Sequence, residues 1–202
     1  MARMQGRKLP RNFYDRDTLE VARDLLGKRL VWQNEDGRRS AKIVEVEAYI
    51  GQEDPACHAA PGPTKRNQVM FGPPGHAYIY LIYGMYNCLN FVTEAEGFGA
   101  AVLIRAAEPD DGIDIMRRHS PRLPDHSLLS GPGKLCRAFG LTTENTGLDL
   151  TTSNLQVRDT RAGPVEVCSS PRIGISRGIK REWRFFDPSS ESLSRRIDRV
   201  LK

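Results

Sequence analysis

Two glutamates and a tyrosine alternate along one predicted strand, and their spacing could support acid–base chemistry. Residues 42–49 read K-I-V-E-V-E-A-Y. Strict alternation places Ile43, Glu45, Glu47 and Tyr49 on one face and Val44, Val46 and Ala48 on the other. A carboxylate at the mouth of a pocket with an aromatic wall can activate water as a general base. A solvated strand face, which most strands have, explains the same pattern.

A tyrosine-rich stretch, residues 76–90, contains four of the six tyrosines, at positions 78, 80, 83 and 86. β-branched and aromatic residues on both sides of Gly84 predict two strands joined by a tight turn. Gly84 and Met85 would be the two residues of a type II′ turn. The tip would then carry Tyr83 and Met85, which indicates either a contact surface or a buried corner. A hairpin whose aromatic side chains only fill the core is the alternative.

Basic residues and a histidine occupy the predicted loops around these strands. The loop over residues 51–74 is rich in Gly and Pro and contains His58 and the cluster Lys65-Arg66. Arg105 ends an apolar run at 101–104, where a cation usually needs an anionic or acceptor partner. The run S-G-P-G-K at 130–134 opens a predicted helix that suits a phosphate, although it lacks nucleotide P-loop spacing. A structural histidine, solvated basic groups and a plain helix start explain the same residues.

The elements that must position these residues follow from hydrophobic periodicity and turn signals. Helices are predicted over 17–26, 110–119 and 130–139, the last ending at Gly140. Strands are predicted over 29–33, 39–49, 101–104, 155–158, 165–168, 172–175 and 183–186. The basic C-terminal turn with Arg195, Arg196, Arg199 and Lys202 is a candidate for a short helix.

Length and composition predict one domain that is large enough for a hydrophobic core. The chain has 202 residues, a net charge of +5 and a pI near 9.2, which is compatible with a polyanionic partner. Its four widely spaced cysteines contain no C-x-x-C pair, which argues against structural zinc and against a disulfide framework and suits a reducing compartment. We expect no membrane span and no targeting signal. We expect residues 1–12 to form a loose basic arm.

Taken in order, the motifs closely resemble the alkyladenine (3-methyladenine) DNA glycosylase family. They are V-E-x-E-A-Y-x-G from residue 44, E-D-x-A-x-H from 53, T-K-R-N from 64, M-F-G-P-P-G-H from 70, Y-x-Y-x-x-Y-G-M from 78, V-L-I-R-A-x-E-P from 102, G-P-G-K-L from 131 and R-I-G-I-S from 172. The resemblance runs from about residue 25 to 186. It implies a single compact α+β domain with a curved, mainly antiparallel sheet, surrounding helices and a protruding β-hairpin.

The resemblance also implies a function and site residues. The expected activity is to flip alkylated or deaminated purines, such as 3-methyladenine and hypoxanthine, out of double-stranded DNA and to hydrolyse the N-glycosidic bond. The implied roles are Glu47 and Arg105 in catalysis, Tyr49, His58, Tyr80 and Asn90 in the base pocket, Tyr83 and Met85 in intercalation, and Thr64, Lys65, Arg66 and Lys134 on the DNA backbone. No implied pocket position is a lysine, so we expect a monofunctional hydrolase. We expect a monomer without metal or cofactor, in the cytoplasm with the nucleoid if the source is bacterial.

Two departures and two alternatives accompany the resemblance. Lys65 stands where the family usually has proline, and residues 180–202 fit the family pattern poorly. A helix-hairpin-helix glycosylase is one alternative, because residues 129–134 resemble its phosphate-binding turn, but it predicts a mostly helical protein. A non-enzymatic nucleic-acid-binding module is the other. Such a binder gains nothing from a carboxylate facing phosphate, so Glu47 beside Tyr49 argues against it.

Overall fold

The computed structural model describes residues 6–160 and 163–195. In chain order its elements are β1 (Arg7–Lys8), α1 (Arg11–Tyr14), α2 (Thr18–Leu25), β2 (Arg29–Asn34), β3 (Gly37–Ile50), β4 (Ala77–Ile82), β5 (Tyr86–Thr93), β6 (Ala100–Asp111), α3 (Ile113–Arg118), α4 (Pro132–Phe139), β7 (Leu155–Asp159), β8 (Cys168–Ser170) and β9 (Arg184–Phe186). Short 3₁₀ turns occur at Gln68–Phe71, Asp125–Ser127 and Thr143–Asn145.

All the strand pairs are antiparallel and belong to one sheet, in the order β1-β7-β2-β3-β6-β5-β4. Strand β3 is long enough to pair with two partners along one edge: β2 covers its first half, and β9 covers residues 45–47. Strand β8 extends this branch by pairing with β9. The expected α+β fold with a mainly antiparallel sheet is therefore confirmed, and the sheet content contradicts a helix-hairpin-helix fold.

Two helices, α2 and α4, cover the sheet and lie within the predicted ranges, although α4 begins at Pro132 and not at residue 130. The Asp17 carboxylate accepts hydrogen bonds from two backbone N–H groups in the first turn of α2, and Gly140 ends α4 in the left-handed conformation. The inner sides of both helices are buried and join the core cluster of the sheet, through Val21, Ala22, Leu25, Leu135, Cys136, Ala138 and Phe139. This packing gives β3, β5 and β6 a rigid support on one side.

The alternation predicted for β3 is wrong in its first half. The register between β3 and β6 is irregular from Ile43 to Val46. Ile43 therefore joins the main core with Val46 and Ala48, although strict alternation placed it with the glutamates. A register irregularity of this kind cannot be read from a pattern with a period of two. The later alternation is maintained, so Glu45, Glu47 and Tyr49 still share a face.

Several predicted boundaries also differ from the structure. Strand β6 continues well beyond Arg105, so this residue lies within a strand. The helix predicted over 110–119 covers only Ile113–Arg118, because residues 110 and 111 complete β6. The strand predicted over 165–168 is displaced to Cys168–Ser170, and residues 172–175 form a loop.

The predicted N-terminal arm and the predicted C-terminal helix are only partly within the described residues. Arg7–Lys8, within the segment predicted as a loose arm, pairs with β7, and Arg11 forms a 2.6 Å ion pair with Asp149. Residues 1–5 lie outside the described residues, as does most of the predicted C-terminal basic helix, at Arg196, Arg199 and Lys202. Within the described ranges, no helix has the length and apolar character needed to cross a membrane.

Candidate active site

A cavity of about 680 Å³ lies between the β4–β5 hairpin, the end of β3 and the loop over residues 171–177. Its volume is in the range of ligand-binding pockets. Its wall includes six residues that the sequence assigned to the site, namely Tyr49, His58, Tyr80, Tyr83, Asn90 and Arg105, with Tyr83 on its hairpin side. The fold thus brings together residues that are up to 56 positions apart in the chain, from Tyr49 to Arg105.

Glu47 is fully buried directly behind this wall. Its Oε2 accepts hydrogen bonds from the Tyr49 hydroxyl at 2.9 Å and from Arg105 Nη1 at 3.2 Å. Its Oε1 accepts the backbone N–H of Ile173 at 2.7 Å. All three donors belong to residues that line the cavity, so the carboxylate is connected to the cavity through its own partners.

Glu45 is also fully buried, but its hydrogen bonds point to a structural role. Its Oε1 accepts from Arg184 Nε at 2.8 Å, Arg105 Nε at 3.0 Å and the Ser194 hydroxyl at 2.7 Å. Its Oε2 accepts the Ser194 backbone N–H at 2.6 Å. Burial opposes ionisation, yet the two guanidinium groups hold the pKa of Glu45 below its ordinary value. Glu45 is therefore an ionised, enclosed anchor.

Aromatic rings form the flat surfaces of the cavity. The rings of His58 and Tyr80 meet edge to face with centroids 4.4 Å apart, and Tyr78 and Tyr80 are 5.7 Å apart with an interplanar angle of 35°. His58 Nδ1 and the Tyr78 hydroxyl lie 3.0 Å apart in a hydrogen bond. The two faces of β4 differ: Tyr78, Tyr80 and Ile82 line the cavity, while Ala77 and Ile79 join the core.

Burial favours the neutral forms of the histidine and tyrosine side chains in these aromatic walls. It lowers the pKa of His58, and the nearby Arg66 guanidinium lowers it further. It raises the pKa of Tyr78 to about 12 and that of Tyr49 above its ordinary range, where the Glu47 carboxylate also contributes. Tyr49 is therefore a neutral hydroxyl donor towards Glu47 at physiological pH.

Asn90, on β5, is fixed in the wall by its side-chain amide. Nδ2 donates to the carbonyl oxygens of Tyr78 at 3.0 Å and Cys88 at 3.1 Å. Because an amide nitrogen has two N–H groups, both are used, and the carbonyl oxygen Oδ1 is the polar atom that Asn90 can offer to a ligand.

The hairpin tip is exposed, as predicted, but its turn differs from the prediction. Tyr83 is 79% exposed and Met85 is 66% exposed. Ile82 pairs with Tyr86 and its carbonyl accepts the Met85 N–H at 3.2 Å, so the central turn residues are Tyr83 and Gly84, with φ of +53° and +68°. Positive φ at both positions is the pattern of a type I′ turn. The predicted type II′ turn at Gly84-Met85 is therefore wrong.

The four residues expected to contact DNA backbone lie on two sides of the hairpin. Arg66 donates to the carbonyl of Leu81 at 3.1 Å and lies over the Tyr80 ring, while Lys65 beside it is exposed. The Thr64 hydroxyl donates to the Asn67 side-chain oxygen. The Asn67 side-chain nitrogen in turn donates to the backbone carbonyl of His58, which connects this turn to the cavity wall.

Lys134, in the first turn of α4, bonds to Ser130 Oγ at 3.0 Å on the other side. It lines a second groove that shares Tyr86, Pro132 and Gly133 with the cavity. The Tyr86 ring packs over Gly133, where a Cβ atom would lie only 3.0 Å from it. Gly133 of the G-P-G-K run therefore allows the hairpin to contact α4.

Two residues that organise the site were not singled out from the sequence, although both lie in the quoted motifs. Arg172 and Asp54 form a fully buried, two-fold ion pair with distances of 2.5 and 2.8 Å. Arg172 also bonds to the Ala48 carbonyl and lies 4.6 Å from the Tyr49 ring centre. The pair connects the loop after β3 to the loop that supplies the Ile173 N–H. Arg172 lies in a loop, and its sequence neighbours give no local signal for such a distant partner.

No group of three or more acidic, histidine or cysteine side chains that could hold a metal ion occurs among residues 6–160 and 163–195. The chemistry that these side chains can supply is that of a buried carboxylate–guanidinium pair beside an aromatic cavity.

Comparison with known proteins identifies the family. The family model for methylpurine-DNA glycosylase matches residues 12–191. A relative from Methanocella arvoryzae is 55% identical over 195 residues, covering 93% of this chain and 96% of that protein. Relatives from Alkaliphilus oremlandii (47% identical, 94% and 100% covered) and Wolbachia pipientis wMel (51% identical, 90% and 92% covered) are similar. All three are provisionally named 3-methyladenine DNA glycosylases. This chain therefore belongs to the methylpurine-DNA glycosylase family.

Proposed function

We propose that this protein is a monofunctional DNA-repair glycosylase. It flips alkylated or deaminated purines, such as 3-methyladenine and hypoxanthine, out of duplex DNA and hydrolyses the N-glycosidic bond with a water molecule activated by Glu47. The observation that carries the proposal is the buried Glu47–Arg105 pair behind an aromatic cavity, next to an exposed tyrosine tip. Membership of the family supports the same activity.

The catalytic step needs a base and stabilisation of a positively charged sugar. Hydrolysis of the glycosidic bond passes through an oxocarbenium-like state, and a carboxylate can both take the proton of water and stabilise this cation. Among the described residues, three donors bond to the Glu47 carboxylate. A carboxylate has roughly four acceptor positions, so one remains for a water molecule. Arg105 keeps its charge, because the carboxylates of Glu47 and Glu45 raise its pKa despite burial.

The aromatic walls suit a flipped base. Stacking of a base on an aromatic ring contributes roughly 1–3 kcal/mol, which offsets part of the few kcal/mol needed for flipping. Tyr49 and the His58–Tyr80 pair, which all line the cavity, supply such surfaces. Asn90 is held rigidly by its two backbone hydrogen bonds, so its side chain does not move aside. It can therefore exclude a purine with a 2-amino group by steric clash.

The hairpin tip and the basic residues beside it suit DNA. An exposed Tyr83 with Met85 can enter the gap that the flipped nucleotide leaves, as apolar wedges do from the minor groove. Lys65 and Arg66 on one side and Lys134 on the other can neutralise phosphates, with the Thr64 hydroxyl as a further backbone donor. The cavity wall contains no lysine among the described residues, which supports hydrolysis over amine-dependent lyase chemistry.

A single-turnover assay on duplex DNA with one hypoxanthine tests the proposal. We expect the wild-type protein to release the base and leave an abasic site. Glu47→Gln keeps the shape of the side chain but not its basicity, so excision should fall at least the ~10²-fold of a lost general base, while affinity for the duplex stays equal or rises.

Glu53→Gln is the matched control, because Glu53 is exposed on the following loop. It should excise at the wild-type rate. A Glu47→Gln protein that releases hypoxanthine as fast as the control would remove Glu47 from the chemistry.

A further inference from the structure

Ser194, near the end of the described chain, contacts the buried ion cluster formed by Glu45, Glu47, Arg105 and Arg184. Its hydroxyl donates to Glu45 Oε1 at 2.7 Å, and its backbone N–H donates to Glu45 Oε2 at 2.6 Å. The same hydroxyl oxygen accepts from Arg105, at 3.3 Å from Nε and 3.1 Å from Nη2. A serine hydroxyl has one donor and two acceptor positions, so all three are used here.

The segment that carries Ser194 is fastened to the same strands. After β9, the Asp187 N–H donates to the Val44 carbonyl at 2.9 Å, and Ser192 is buried. Arg184 Nη2 then donates to the Arg195 carbonyl at 2.8 Å, while Arg184 Nε is bonded to Glu45. Ser194 lies beyond residue 191, where the match to the family model ends.

These contacts determine how Arg105 is oriented. Its Nε and Nη2 are occupied by Glu45 and Ser194, so Nη1 remains for Glu47 at 3.2 Å. Without the Ser194 hydroxyl, Glu45 could accept both Nε and Nη2 in a two-fold pair, which is the preferred arrangement of arginine with a carboxylate. The guanidinium would then turn, and Nη1 would lose its contact with Glu47.

We propose that Ser194 is a positioning residue for the glycosylase reaction. By accepting from Nε and Nη2 of Arg105, it leaves Nε to Glu45 and directs Nη1 to Glu47, and so keeps Arg105 aligned with Glu47. The inference rests on the proposed function, because Arg105 and Glu47 are the pair that it serves. Since Ser194 is on the side of Arg105 next to Glu45, its loss should slow the chemical step without weakening DNA binding.

The test compares Ser194→Thr with Ser194→Val, which have the same shape and differ only in a hydroxyl against a methyl group. Single-turnover excision of hypoxanthine is measured at saturating enzyme, and Kd for the same duplex is measured in parallel. We expect Ser194→Val to be at least about tenfold slower with unchanged Kd, because small misplacements of catalytic groups are costly. Ser194→Thr should keep the wild-type rate. Ser194→Ala removes the hydroxyl without added bulk and should match Ser194→Val.

Ser189→Ala controls for loss of a serine from the same segment, since among the described residues the Ser189 hydroxyl donates to Asp187, within that segment. It should not change the rate. Equal rates for the Thr variant and the Val and Ala variants would overturn the proposal. Variants that lose excision rate, DNA affinity and thermal stability together would also overturn it, because they would show a merely structural role for Ser194. A wild-type protein that excises no base would instead overturn the proposed function itself.

Discussion

Glu45 and Glu47 contact the same guanidinium group, that of Arg105, from two different nitrogen atoms, at 3.0 Å from Nε and 3.2 Å from Nη1. The two residues are identical in type and two positions apart on β3. Tertiary contacts separate them: Glu45 is enclosed by arginines and Ser194, whereas the partners of Glu47 line the cavity. The two carboxylates therefore have different surroundings, and we propose the chemical role for Glu47 alone.

Glu45→Gln should therefore lower stability. The substitution leaves Arg105 and Arg184 buried around a neutral amide, and breaking a buried ion pair typically costs about 3–5 kcal/mol. We expect denaturant unfolding to show a loss of about 3 kcal/mol in the free energy of unfolding. Glu53→Gln, at an exposed position, should unfold like the wild type. If Glu45→Gln is as stable as this control, the ion pairs of Glu45 with Arg105 and Arg184 do not stabilise the fold.

Tyr83→Asn should separate stability from function at the hairpin tip. A bulky residue at φ +53° stores strain of about 1 kcal/mol, and asparagine adopts this conformation more readily. Tm should therefore stay equal or rise, while excision and binding of the damaged duplex weaken because the wedge is lost. Tyr83→Phe keeps the ring and should remain active. A Tyr83→Asn protein that melts well below the wild type would instead make Tyr83 a core residue.

Asn90→Ser should relax selectivity against 2-amino purines. The shorter side chain opens the cavity wall where the Asn90 amide is now fixed. Excision of guanine relative to hypoxanthine should rise by at least about tenfold, the usual effect of removing one steric clash. Asn87→Ser, on the same strand but outside the cavity wall, is the control. Unchanged discrimination would remove Asn90 from the recognition of the base.

Salt titration should reveal the phosphate contacts. Lys134→Ala and Lys65→Ala should each make the dependence of log affinity on log salt shallower by about 0.9, because each phosphate contact releases counterions. Lys28→Ala is the control, since Lys28 pairs with Asp159 beside β2, several strands away from the hairpin. Slopes that are the same for all three variants would contradict the assignment of Lys65 and Lys134.

His58 should make stability dependent on pH on the acidic side. Burial and Arg66 lower its folded pKa, so below the ordinary value of 6.5 the unfolded chain binds the proton more readily. The free energy of unfolding should therefore fall as pH drops from 6.5 towards the folded pKa. In His58→Asn this part of the pH dependence should disappear, which denaturant unfolding at several pH values can measure. The same slope in both proteins would show that other groups cause it.

The sequence by itself determined the local features of this protein. Alternation and turn signals predicted the β4–β5 hairpin with its large apolar tip, and periodicity with helix start and stop signals predicted α2 and α4. These features depend on neighbours within a few positions, so they can be read from spacing. The motif resemblance then indicated which side chains to examine, and six of them line one cavity.

The resemblance assigned catalysis to Glu47, but only the tertiary structure decided which contacts distinguish Glu47 from Glu45 and what holds the site together. The register irregularity in β3, the type I′ turn with Tyr83 at positive φ, and the buried pair of Arg172 with Asp54 all depend on contacts between distant segments. The same holds for Ser194, which reaches Glu45 across 149 positions of the chain. Hydrogen bonds and burial between such segments leave no periodic signal, because the chain folds back before the partners meet.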